Sequence, residues 1–182
     1  GMRCRIITGP NEHLLALLRT GDVDLVIGRM AEPAAMLGLG FEHLYSERVV
    51  ITVRPGHPLA GRSDFNLGMI APYQMLMPPP DSVIRASVDR MLLAHGVTGL
   101  RDEIETVSNA FGRSYVRQSD AIWIISEGVV VRDVEEGQLA LLPFDSSETL
   151  GPVGFTTRAD TVPGLAATSL MTAVRQAAAR ER

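Results

Sequence analysis

The sequence predicts an α/β fold of two Rossmann-like lobes with mainly parallel sheets, and three observations carry that prediction. Apolar strand patterns alternate with amphipathic helix patterns along most of the chain, an alternation that places helices on the faces of parallel sheets. Two runs carry buried-strand signals: Val23–Ile27 is of the type buried on both faces in parallel sheets, and AIWII at Ala121–Ile125 is too apolar for a surface strand and should be central. Between them the pattern turns from strands to helices, which favours a second lobe inserted into the first.

Element by element, Arg3–Thr8 reads as a strand and Gly9-Pro10 as its turn. Asn11 is placed to cap a helix over Glu12–Arg19, whose Leu14, Leu15, Leu17 and Leu18 form an apolar face. Gly21 ends that helix, because a glycine accepts the left-handed conformation of a helix terminus. Val23–Ile27 is then a short buried strand closed by Gly28-Arg29. Phe41–Tyr45 and Arg48–Val53 are strands, the second stopped by Pro55-Gly56-His57-Pro58. Met75–Met77 is a strand that Pro78–Pro80 cannot continue.

Ser82 is placed to cap a helix to His95, with Ile84, Val88, Met91 and Leu92 as its buried stripe and Gly96 as its stop. Glu103–Val107 is a strand, and Ser108 or Asn109 caps a helix near Ala110–Arg117. AIWII is the central strand, with Trp123 in the core. Ser126 starts a short helix, Leu139–Leu142 is an edge strand, Val153–Thr157 the last strand and Pro163–Arg180 the last helix. The chain is expected to cross between lobes at Gly61–Tyr73 and Pro143–Gly151. Lobe I is then 1–71 with 150–182, and lobe II is 72–149.

Composition removes several chemistries. All 17 basic side chains are arginines, so Schiff-base and P-loop lysine chemistry are absent. The net charge is −4 and no basic cluster appears, which argues against nucleic-acid binding by this stretch. Cys4 is the sole cysteine, expected as a buried, inert thiol, and the four histidines fall at no metal-ligand spacing. No cofactor is expected. Arginine instead suits bidentate capture of carboxylates. No apolar run is long enough to cross a bilayer, so a cytoplasmic location without membrane contact is expected.

The stretch GPNEHLLALLRTGDVDLVIGRM at Gly9–Met30 and VRPGHPLAGR at Val53–Arg62 resemble the effector-binding region of LysR-type transcriptional regulators. LMPPPDSVIR at Leu76–Arg85 and ETVSNAFGRSYVRQSDAIWIISE at Glu105–Glu127 resemble the protocatechuate-catabolism branch of that family. The resemblance implies a type 2 periplasmic-binding-protein architecture, with a small carboxylate effector held in an interlobe cleft. A carboxymuconate, an intermediate of aromatic catabolism, is one such acid. It also implies a homo-oligomer, dimeric or tetrameric in the parent protein, and DNA binding only through an N-terminal domain outside this sequence. Measured against the family pattern, the first lobe is truncated by one strand and one helix. A slot between Arg3–Thr8 and Val23–Ile27 is expected where that strand would lie, closed by the two strands, by a second copy or by partial unravelling.

Helix starts at strand ends supply the candidate ligand groups, since their N–H donors and positive dipole ends hold carboxylates. These are Gly9, Pro10 and Asn11; Pro80 and Ser82; and Ser108 with Asn109. Each cap residue also reads as an ordinary helix cap. Arg29 at a strand end and Arg85 one turn into its helix are candidate guanidinium partners, and a salt bridge within its own lobe reads equally well for Arg29. A transporter's solute-binding protein would share the fold. An enzyme on it would need a cleft carboxylate, for which Glu127 is the candidate.

Overall fold

Strand pairing divides the chain differently from its hydropathy. The computed structural model describes residues 3–100 and 102–180, and its contacts separate Gly1–Ser46 with Gly151–Arg182 from Glu47–Leu150. The elements begin with α1 (Asn11–Thr20), β1 (Val26–Arg29), β2 (Leu39–Glu47), β3 (Val49–Val53), β4 (Met75–Met77) and α2 (Arg85–Ala94). They continue with β5 (Glu103–Glu105), α3 (Asn109–Arg117), β6 (Ile122–Ser126), α4 (Glu127–Glu135), β7 (Ala140–Leu141), β8 (Gly151–Arg158) and α5 (Leu165–Arg180). Among the described residues no helix is long and apolar enough to cross a membrane.

The first unit is a three-stranded sheet in the order β1-β8-β2. Leu15 and Leu18 of α1 pack on Val26, while Met171 of α5 packs on Leu44 and Phe155. Gly21, at φ 82°, ends α1 in the left-handed region. Arg158 donates to the Leu18 and Val23 carbonyls at 2.7 and 3.2 Å, placing a cation at the helix's negative end. Glu42 and Arg175 form a two-point ion pair at 2.6 and 2.8 Å, which holds α5 to β2 and the Glu42 carboxyl below its ordinary value.

Three expectations fail in this unit. Arg3–Thr8 forms no strand, so no two-strand slot exists; without a paired neighbour the alternation leaves Ile6 85% exposed. Cys4 is exposed for the same reason. The strand expected at Val23–Ile27 forms at Val26–Arg29, pairs antiparallel with β8 at the sheet edge, and leaves Ile27 half exposed.

The second unit is a five-stranded sheet in the order β5-β4-β6-β3-β7. Val49–Val53 lies in it, paired antiparallel with β6 (Val50↔Ile125, Thr52↔Trp123), so the chain does not cross at Gly61–Tyr73. VVITV is buried at every position, but its strand pattern carried no information about which sheet buries it. The sheets are mixed, not mainly parallel. In the second sheet β4 pairs parallel with β5 and β6, and these strands are linked through crossover helices, as parallel pairing requires. AIWII supplies the central strand, and Ala140–Leu141 the edge.

One face of this sheet packs Ile51, Met75, Met77 and Ile124 against Val88 and Met91 of α2. The other packs Leu76 and Trp123 against Val116 of α3 and Val130 of α4. Asp133 of α4 receives hydrogen bonds from both Arg113 and Arg117 of α3. Burial alone would raise its carboxyl, but the two guanidinium groups outweigh burial and hold it below its ordinary value.

His57 in the turn after β3 is structural. Its Nδ1 accepts the Leu59 N–H at 3.1 Å, its Nε2–H donates to the Asp120 carbonyl at 3.1 Å, and its ring is 4.6 Å from that of Tyr73. Burial holds it below its ordinary value of 6.5, against the smaller raising effect of the Asp120 carbonyl. The unfolded chain therefore takes up a proton that the folded one refuses. This contribution to stability is fully present above pH 6.5 and is lost as pH falls below it, at up to about 1.4 kcal/mol per pH unit. Denaturant midpoints from pH 8 to 5 should show this slope, and His57→Gln should flatten it; an unchanged slope in the variant would assign the effect to other groups.

Candidate functional site

An open sheet binds ligands outside the carboxyl ends of its strands, where the strand order reverses. In the second unit that point lies between β4 and β6, because the chain steps from β4 to β5 on one side and then crosses to β6 on the other. With α2 on one face and α3 on the other, the strand ends are bordered by Pro78–Pro80, Thr106–Asn109 and Ser126-Glu127.

The loop leading into α3 is fixed by a chain of hydrogen bonds. Thr106 N–H donates to the Met77 carbonyl at 3.1 Å, and Ser108 N–H to the Thr106 hydroxyl at 3.0 Å. The Ser108 hydroxyl accepts the Phe111 N–H at 3.3 Å, so Ser108 is the N-cap and Asn109 the first helical residue. A helix start carries four N–H groups without helical partners, and this cap satisfies one of them. Gly112 lets α3 approach the sheet closely, facing the Trp123 indole.

The other two expected caps differ. Ser82 does not cap α2: its carbonyl accepts the Arg85 N–H at 3.0 Å and its own N–H donates to the Pro79 carbonyl at 2.9 Å. These bonds form a turn ahead of the helix, and Ile84 takes the cap position with no side-chain bond. Asn11 is likewise inside α1, and Pro10, at φ −56° and ψ 145°, takes its cap position. Proline's fixed φ suits that place, and its carbonyl accepts the Leu14 N–H at 3.1 Å.

Arg85 is already engaged. It contacts Asp89 at 2.8 Å, Glu105 at 3.1 Å, Glu103 at 3.7 Å and the Pro78 carbonyl at 3.0 Å. Burial would lower this guanidinium, but the surrounding carboxylates raise it above its ordinary value. Arg85 thus fastens the proline loop to α2 and β5. Pro80, Ser82, Arg85, Ser108 and Asn109 all lie at the carboxyl end of β4 and β5. In the first unit, α1 packs back along β1, so Gly9, Pro10 and Asn11 lie at the same end of that unit as Arg29, the last residue of β1.

Glu127 is the first residue of α4 and is paired with Arg48, whose Nε and Nη2 donate to its two oxygens at 3.2 Å each. Beside it, Glu47 accepts the Gly128 N–H at 3.1 Å. Sequence reasoning passed over Glu47 and Gly128. The signal available was a glycine directly after a buried strand and its helix-opening residues, at Ser126-Glu127-Gly128.

The fold defines a class, the α/β domain of two units, each built on its own sheet. The LysR substrate binding domain family matches residues 1–179, and the chain belongs to that family. The HTH-type transcriptional regulator PcaQ of Agrobacterium fabrum is 53% identical over 178 residues, covering 98% of this chain and 57% of the relative. The chain thus spans just over half the length of that relative. The effector binding domain of QuiR in complex with shikimate has a TM-score of 0.73 at 15% identity, over 94% of this chain and 79% of that one. The CcmR regulatory domain of Synechocystis PCC6803, in complex with 2-PG, has a TM-score of 0.72 at 19% identity, over 92% and 79%.

Proposed function

We propose that this domain senses a small polycarboxylate of aromatic catabolism and controls, in its parent protein, an oligomeric DNA-binding regulator in the cytoplasm. The observation that carries this reading is the 53% identity to PcaQ, sustained over 98% of the chain. Ser108 and Asn109 at the start of α3 are the residues proposed to receive a carboxylate, with Pro80 and Ser82 beside them. Gly9, Pro10, Asn11 and Arg29 form the first unit's contribution. Arg85 acts in this scheme through the proline loop that it fastens.

Thermal shift of the full-length protein against dicarboxylates and tricarboxylates, a carboxymuconate among them, tests the reading. A cognate acid at a hundred times its dissociation constant should add about 2.7 kcal/mol of stability. Asn109→Leu, at an exposed first-turn position, should cut that gain while leaving the ligand-free melting point within a degree or two. No shift with any acid, or an equal shift in the variant, would overturn the assignment.

A further inference from the structure

Three consecutive residues where the chain passes into the second unit are each tied to a different partner. Glu47, the last residue of β2 and the first of that unit, accepts the Gly128 N–H at the start of α4. A Cβ at position 128 would sit 2.7 Å from Oε2 of Glu47, so any larger residue there would push this carboxylate aside. The Arg48 carbonyl accepts the Glu127 N–H at 3.0 Å, and its guanidinium holds the Glu127 carboxylate. Val49 is held by hydroxyls: its N–H donates to Thr149 Oγ1 at 2.9 Å and its carbonyl accepts from Ser146 Oγ.

Those hydroxyls do a strand's work. The edge strand β7 pairs only with Thr52 and Val53, so Val49, fully buried, would otherwise lack backbone partners on that side. Ser146 and Thr149 are each 2% exposed, and Thr149 also donates to the Ser146 carbonyl at 2.7 Å. Thr149 precedes Leu150, the last residue of the unit. The residues through which the chain enters and leaves this unit are therefore fastened together, and the first turn of α4 is fastened to the entering residues Glu47 and Arg48.

We propose that Glu47, Gly128, Ser146 and Thr149 form one latch that makes the unit's two chain ends and the start of α4 move as a single piece. A displacement of the first turn of α4, at the carboxyl end of β6, is then passed to both connecting strands. This holds whatever the effector is.

Amide hydrogen exchange on the folded protein tests it, with fluorescence of Trp123, the only tryptophan, reporting unfolding of the unit as a whole. In the native protein the Gly128 and Val49 amides should be protected. Glu47→Ala should speed exchange at least tenfold at Gly128 and also at Val49, whose amide donates to Thr149. Thr149→Val should reciprocally speed Gly128, and Thr149→Ser should restore both. Glu47→Gln serves as the milder variant should Glu47→Ala fail to fold. Two outcomes overturn the latch. In one, each variant affects only its own partner's amide; in the other, all amides of the unit speed up in step with a fall in the Trp123 unfolding midpoint.

Discussion

Gly154→Ala should unfold the first unit while leaving the second folded. Gly154 is in β8, the middle strand of the three-stranded sheet, paired with Gly28 of β1. A Cβ there would lie 2.0 Å from the Glu42 carbonyl oxygen and 2.9 Å from both the carbonyl carbon of Glu42 and Cζ of Phe41. Two of these three atoms are backbone of β2, so no rotamer change relieves the clash. β2 must separate from β8, and the core of Leu44, Phe155 and Met171 beneath them opens with it. Overpacking ordinarily costs about 1–3 kcal/mol and occasionally more; a backbone clash in a central strand belongs at or above the top of that range.

Circular dichroism should show a lost early melting transition, with the Trp123 emission of the second unit preserved. Gly28→Ala is the matched control, because a Cβ at Gly28 meets nothing within 4 Å. Equal stability of the two variants would refute the assignment of β8 as the tightly packed centre.

What could be read from the sequence was local. The strand Met75–Met77 is bounded by its own prolines, the stops at Gly21 and Gly96 sit at φ 82° and 75°, and Ser108 caps α3 through its own hydroxyl. Each depends on chemistry within a few residues. Sheet partnership does not: VVITV is five buried residues in either unit, and only its register with β6 assigns it to the second. Arg3–Thr8 has the alternation of a strand but no pairing partner, and a strand without one is not a stable structure.

The candidate site divides along the same line. The helix start at Ser108-Asn109 was legible because a cap and its helix are neighbours in sequence. Ser82 and Asn11 have the same residue chemistry, yet turn bonds through the Pro79 and Ser82 carbonyls and the fixed φ of Pro10 decide where those helices begin. Arg85 appeared as a free guanidinium because Glu103 and Glu105 lie some twenty residues away and meet it only through the pairing of β4 with β5. Glu47 and Gly128 are separated by a sequence distance of 81, beyond any local pattern.

Gly112→Ala should be the most damaging single-methyl change in the second unit, and it would act through one indole. A Cβ at position 112 would fall 2.6 Å from Cζ2 of Trp123 and 2.8 Å from Cε2 and Cη2. Trp123 is 1% exposed on the central strand, between Val50 and Leu76 of its sheet and Val116 and Val130 of α3 and α4, so the ring has nowhere to retreat. α3 must therefore lift from the sheet. That movement strains its other anchors, the Ser108 cap and the bonds from Arg113 and Arg117 to Asp133. Alanine's better helix propensity returns about 1 kcal/mol, and overpacking costs about 1–3 kcal/mol, so the net effect is destabilising by up to about 2 kcal/mol even where α3 yields. Because α3 also carries Ser108 and Asn109, its displacement should weaken the response to carboxylates more than global stability alone would explain. The checks are a red shift of Trp123 emission together with a lower unfolding midpoint. A variant with unchanged emission and midpoint would mean that α3 does not pack on the indole as described.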